Sequence, residues 1–439
     1  MELYYEDMAG SLELLKAAYL AGGVFDSEFC ANAAEDGDFE LLKFAHENGA
    51  TWDADTCWFA ASKGHWEIVK YAHENGCPWD SRVCEIAAED GDLKMLKYAH
   101  ENGCPWDEET CRGAAGSGSL EILKYARENG CPWDKKTCED AAYGGHLEIL
   151  KYARENGCPW DRKTCKGAAY GGHLEILKYA RENGCPWDEK TCRNAAMNGH
   201  LDCLVYAHEN GCPLDADTCV FAARYGHLEI LKYAHENGCA LYRNVCTLAA
   251  EKGALDCLRY AHENGAPWNA ETCEKTAYAG HLDCLKYARE NGCRWDWKTC
   301  AYAVYGGRLS ILVYAHENGC PWNESICEEA AILGNLDCLK YARENGCPWN
   351  AQACLAKTKS KECREYILEN ITGPKQYDTS MDTKSDDDEC TVCYENKNKV
   401  QFKPCNHYLC IACNNRLIQL NMADRCYMCR QPVKENCLI

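Results

Sequence analysis

Seven cysteines and one histidine close to the C-terminus of this 439-residue chain stand at spacings suited to a metal. Their order is Cys390-x2-Cys393-x11-Cys405-x-His407-x2-Cys410-x2-Cys413-x12-Cys426-x2-Cys429. Two residues between paired thiolates let both sulfurs reach one tetrahedral Zn²⁺, at about 2.3 Å each. Eight ligands imply two Zn²⁺ ions, and a segment this short holds little core without metal. The competing reading, a disulfide framework, needs an oxidising compartment. Nothing in the opening residues points there, because Met1-Glu2-Leu3-Tyr4-Tyr5-Glu6-Asp7 carries acid where a secretory leader carries base.

A linker and a long repeat must position this cluster. Thr372-Gly373-Pro374 leads into a run rich in serine and aspartate that ends at Asp388, so residues 371–389 read as an acidic disordered linker. Before it, the block Gly145-His146-Leu147-Glu148-Ile149-Leu150-Lys151-Tyr152-Ala153-Arg154-Glu155-Asn156-Gly157-Cys158-Pro159-Trp160-Asp161 returns every 27 residues. The leucine register runs through 13 copies from Leu12 to Leu336 without insertion. A fixed period of that size marks a solenoid.

Each copy reads as two short helices. Asp or Asn fills the Asp134 register in 12 of 13 copies, a good N-cap before Thr137, Cys138, Ala141 and Ala142. Gly144-Gly145 ends that helix. Leu147, Ile149, Leu150, Tyr152 and Ala153 then form the buried side of a second helix, which Asn156-Gly157 stops. So small a repeat cannot bury its apolar face alone, and its neighbours must stack on it. Lys357 to Asn370 reads as a terminal cap.

These features resemble the ankyrin-repeat family, whose signature includes a paired Ala-Ala, Gly-His-Leu-Glu and a Glu-Asn-Gly ending. Ankyrin repeats commonly run to 33 residues with a β-hairpin finger. Here Cys-Pro-Trp-Asp suggests a shortened connection instead. Similar short arrays are encoded by large DNA viruses and some protists. The cysteine cluster resembles the RING finger of the commonest type, in which three cysteines, one histidine and four cysteines follow in that order. A PHD finger would want its histidine at the fifth ligand position. The resemblances imply a mainly α protein: an ankyrin-like solenoid of about 13 two-helix repeats over 1–370, a flexible linker over 371–389 and a small zinc-bound α+β RING domain over 390–433.

The RING resemblance implies interleaved ligands, with Cys390, Cys393, Cys410 and Cys413 on one ion and Cys405, His407, Cys426 and Cys429 on the other. It also implies a ubiquitin ligase that docks a ubiquitin-charged E2 and positions its thioester without a covalent intermediate. Carried over by position, Val392 and Leu417 make the apolar E2 platform. Tyr427 joins it where the family commonly has proline, and Asn406 replaces a frequent glycine. Arg430 follows the last ligand, where active members often place a cation bridging E2 and ubiquitin. The alternative is a non-enzymatic ankyrin/RING interaction scaffold. The ankyrin resemblance implies that a protein substrate binds side chains that vary on the first helix, with Tyr143, Tyr170, Tyr225, Tyr278 and Tyr305 as candidates.

The 36 cysteines divide accordingly. The Cys138 register is filled in all 13 copies and the Cys158 register in 10, and both read as small buried packing residues. Trp160 and its equivalents read as wedges between repeats, and the repeat histidines as core and helix-cap residues. The formal charge of −21 makes the repeats a poor platform for nucleic acid. No apolar run approaches the roughly 18 residues of a membrane span. The C-terminal Cys437-Leu438-Ile439 is one residue too short for a prenylation box. The expected setting is a reducing cytoplasm or nucleus.

Overall fold

The computed structural model describes residues 11–371 and, beyond them, the backbone of three strands at 399–403, 408–410 and 435–438. The chain divides into two compact units, residues 1–368 and 369–439.

Helices alternate in two registers from Leu12–Leu20 to Lys361–Ile371. The repeat spanning Asp134 to Gly157 illustrates why. Asp134 is extended, and its carboxylate accepts from the Lys136 backbone N–H at 2.9 Å, so the first helix starts at Lys135. Thr137, Cys138, Ala141 and Ala142 are its buried face. That helix ends at Tyr143, and Gly145 turns the chain at φ +84°. The second helix, Leu147–Glu155, buries Ile149, Leu150 and Ala153. Asn156 closes it, its side-chain amide donating to the Tyr152 carbonyl at 2.9 Å.

The capping carboxylate recurs from Asp26 to Asp215 and at Asp296. Asn269 occupies the position without a capping side-chain bond, and Tyr242 has no carboxylate to offer. Residues 156–161 join one repeat to the next with no strand, so the finger of longer ankyrin repeats is replaced by a turn.

First helices pack on one another in sequence, while each second helix packs mainly on its own first helix. Two contacts tie neighbouring repeats. Trp160 is a wedge, with its ring edge-on to Tyr179 of the following repeat at 6.3 Å. Its other face is covered from its own repeat by the Arg154 guanidinium at 4.0 Å. Where histidine fills the Arg154 register it stacks instead, as His46 does on Trp52 at 3.6 Å.

The second tie sharpens the helix-cap reading of the histidines. His146 and His173 stand at N-cap positions, yet their side chains do not cap the helices that follow them. Their Nε2 atoms reach back to the Gly116 and Tyr143 carbonyls of the preceding repeats, both at 3.1 Å. The neighbour's unpaired helix-end carbonyl wins this contact over the local amide.

All 28 cysteines of residues 30–363 are buried free thiols, matching their reading as packing residues. Among the described residues no helix is long and apolar enough to cross a membrane.

In the second unit, β1 (Lys399–Lys403) pairs antiparallel with β2 (Tyr408–Cys410) and with β3 (Glu435–Leu438), giving the order β2-β1-β3.

Candidate functional site

The expected metal cluster surrounds this small sheet in sequence. Cys410 ends β2, its backbone opposite Lys399 of β1. Cys390, Cys393, Cys405, His407, Cys413, Cys426 and Cys429 lie outside the described residues, as do Val392, Leu417, Tyr427 and Arg430. The donor set itself is seven thiols and one imidazole. These are soft to borderline ligands, which suit zinc and exclude the all-oxygen chemistry of calcium or magnesium. Among the described residues no group of three or more His, Cys, Asp or Glu side chains could hold a metal ion.

Residues 386–436 match the family described as zinc finger, C3HC4 type (RING finger). The C-terminal segment is a RING-type zinc finger. It is similar to a protein of Invertebrate iridescent virus 6 named "Putative RING finger protein 157L", with 40% identity over 51 residues. That stretch is 11% of this chain and 30% of the viral protein. The chain is also similar to the crystal structure of the human ASB11 ankyrin repeat domain, at 18% identity and a TM-score of 0.32, covering 36% of this chain and 84% of that one. The repeat architecture rests on the caps, burial and inter-repeat bonds described above.

The candidate recruiting tyrosines fall into groups that spacing alone does not reveal. Tyr143 and Tyr170 sit at the ends of successive first helices and stack at 5.3 Å. Tyr278 meets Tyr302 edge-on at 6.5 Å, and Tyr302 in turn contacts Tyr305 at 5.9 Å. Tyr225 stands apart from both groups, with the Arg224 guanidinium 5.8 Å from its ring. All but the half-buried Tyr170 are exposed. The Glu329 carboxylate, hydrogen-bonded to Tyr305, raises that phenol above its ordinary range.

Sequence reasoning did not identify the acidic clefts beside these tyrosines. One cleft, of about 420 Å³, is lined by Glu85, Glu89, Glu109, Arg112, Asp140 and Tyr143 over Gly113 and Gly116. A Cβ on Gly113 would lie 2.8 Å from the Glu89 side chain, so glycine keeps the floor open. Arg112 bridges Asp140 at 2.8 Å and also pairs with Glu109. Burial raises the Glu85 carboxyl, and the neighbouring Glu89 and Glu109 add to the effect. A second cleft, of about 370 Å³, joins Glu251, Glu271, Glu274 and Lys275 to Tyr278 and Tyr302. The available signal was acid recurring at outward first-helix positions, as at Glu85 and Glu109.

Proposed function

We propose that the protein is a RING-type E3 ubiquitin ligase whose repeats recruit a protein substrate. The observation that carries this reading is the RING-family match over residues 386–436, with all eight donors in family order. Cys390, Cys393, Cys410 and Cys413 would hold one Zn²⁺, and Cys405, His407, Cys426 and Cys429 a second. Zinc would supply the fold of a segment too small to hold itself together.

The chain's own residues would then act by positioning. Val392, Leu417 and Tyr427 form the platform for a ubiquitin-charged E2. Arg430 donates to carbonyls of E2 and ubiquitin together, holding the thioester ready for lysine attack. The repeats occupy residues 1–370 and residues 371–389 tether them to the RING at 390–433. Tyr143, Tyr170, Tyr225, Tyr278 and Tyr305 supply substrate contact, with exposed aromatic rings suited to a protein surface. The acidic clefts beside them disfavour phosphate backbones. Such a ligase works in a reducing cytoplasm or nucleus.

The test is to incubate the full chain with E1, a panel of E2 enzymes, ubiquitin and ATP. Ubiquitin chains are expected with at least one E2, and Cys390→Ala or His407→Ala abolishes them. No chains with any E2 would leave the non-enzymatic scaffold as the better reading.

A further inference from the structure

One interior repeat lacks the ties that hold its neighbours. Four devices recur along the solenoid: an aromatic wedge, a capping carboxylate, a thiol on the capping residue's carbonyl and a histidine over the preceding turn. In the repeat that follows Cys239 all four are replaced together. Its connection reads Cys239-Ala240-Leu241-Tyr242 where others read Cys-Pro-Trp-Asp, so the fixed φ of proline is lost as well. Tyr260 is met by the His235 ring at 5.8 Å, whereas Tyr287 is met by both His262 and Trp268. The first helix, Arg243–Glu251, starts after Tyr242 with no side-chain cap. Ala266 fills the register in which Cys158 donates to the Asp134 carbonyl.

The histidine position shows the loss most directly. A Cβ at Gly172 or Gly199 would lie 2.5 or 2.7 Å from the ring of His200 or His227, so glycine makes the seat for each ring. Gly226 keeps the same turn at φ +81°, but Ala254 stands over it, and a Cβ there would meet only the Ala254 methyl at 3.6 Å.

Neighbouring repeats lose fewer devices. The repeat capped by Asp26 has Ala50 and Asp38 in the thiol and histidine registers, yet keeps Phe25 and its capping carboxylate. The repeat after Leu214 keeps the Asp215 cap, the Cys239 thiol and the His227 contact. On the far side of the weak repeat a cleft of about 290 Å³ marks the seam. It is lined by Asn244, Thr247 and Leu248 and by Asn269, Glu271 and Lys275 of the next repeat. The buried Thr247 and Thr272 hydroxyls, 2.9 Å apart, still join the two first helices.

We propose that residues 239–266 are a hinge. This repeat opens locally while its neighbours stay folded, and the blocks 11–238 and 267–371 change their mutual angle about it. The hinge separates the stacked Tyr143 and Tyr170 from the group of Tyr278, Tyr302 and Tyr305. A partner that touches both groups would therefore meet them at an adjustable angle. The hinge itself follows from the repeat's own residues and does not depend on the ligase function.

Two measurements on the full, zinc-loaded chain test it. In hydrogen exchange, the amides of Arg243–Glu251 and Leu255–Glu263 should exchange at least about tenfold faster than those of Lys135–Tyr143 and Leu147–Glu155, as loss of a cap and a packing tie together implies. Equal protection would overturn the proposal. Single-molecule energy transfer then compares two dye pairs carried by azide-bearing residues at the exposed positions Lys94, Asp202 and Ser310. Both pairs share one register and span four repeats, but only Asp202/Ser310 crosses the hinge. Its distance distribution should be the broader, and equal widths would sink the idea.

A fourfold variant, Leu241→Trp, Tyr242→Asp, Ala254→His and Ala266→Cys, should slow the exchange to that of its neighbours and narrow the distribution. Fast exchange persisting in the folded variant would refute the assignment to these four side chains. Should that variant not fold, the two wild-type measurements decide.

Discussion

The Cys158 thiol lies 3.2 Å from the backbone carbonyl of Asp134, the residue that caps the first helix of the same repeat. The same contact joins Cys77 to Asp53, Cys104 to Asp80 and Cys131 to Asp107. The site takes a side chain that is small and apolar enough to bury, as Ala50 and Ala266 do in two repeats, and cysteine adds a donor to the carbonyl. Cys158→Ala is expected to cost about 1 kcal/mol, the worth of one weak donor and a little packing. Cys158→Leu should cost more, because the closed site forces overpacking. Hydrogen exchange resolved by repeat is the suitable measurement, since a solenoid can open locally.

Arg154 has two roles, stacking over Trp160 at 4.0 Å and donating to the Cys158 carbonyl at 2.6 Å. Arg154→Ala should lose both, a destabilisation of roughly 1–2 kcal/mol. Arg154→His should recover most of it, because histidine stacks on tryptophan in the same register at His73 and His100. Lysine has no planar head to stack and should recover less. Urea unfolding of the three variants side by side checks the order.

Two of the stacked histidines set a pH response. Burial lowers the pKa of His46 and His316 from 6.5, and the adjacent Glu47 and Glu317 oppose this weakly. A histidine whose folded pKa is depressed contributes stability that is fully present above the unfolded value and is lost as pH falls through the folded value. Thermal stability should therefore decline as pH drops below about 6.5. His316→Arg should blunt the decline, since arginine fills that register elsewhere without titrating. NMR titration of the His316 ring should give a midpoint below 6.5; a midpoint above it would contradict the burial argument.

Helix boundaries were legible in the sequence because their determinants are local: Asp134 in front, Gly144-Gly145 between the helices and Asn156-Gly157 behind. The RING match was legible for a similar reason, since paired Cys-x2-Cys spacings carry the family pattern within a few residues. The reach of His146 to Gly116 was not legible. It depends on how two repeats stack, and locally the histidine looks like a cap. The seat of the Cys158 thiol on the Asp134 carbonyl was half legible: both cysteine registers read as buried, but the contact needs the second helix to fold back on the first. The grouping of Tyr143 with Tyr170 and of Tyr278 with Tyr302 likewise follows from helix stacking.

Two glycines of the repeat should respond differently to the same change. Gly145 and Gly157 both have positive φ, +84° and +82°. A Cβ at Gly157 meets nothing within 4 Å, so Gly157→Ala costs only backbone strain, about 1 kcal/mol. A Cβ at Gly145 would lie 2.6 Å from the His173 ring, which is held by its bond to the Tyr143 carbonyl. Gly145→Ala should therefore cost clearly more and break an inter-repeat tie as well. In the background of His173→Ala the excess should vanish, a coupling that a double-mutant cycle measures directly.

Metal removal should separate the two parts of the chain. The helices of residues 11–371 are held by apolar burial and inter-repeat bonds, and no candidate metal site lies among them. A zinc chelator strong enough to strip Cys/His sites should leave the helical circular dichroism near 222 nm almost unchanged. The same treatment should abolish ubiquitin-chain formation, and added Zn²⁺ should restore it if the thiols are kept reduced. Loss of most of the helical signal on chelation would mean that the repeats depend on metal, contrary to the packing described above. Retention of ligase activity in the stripped protein would remove the eight-ligand cluster from the mechanism.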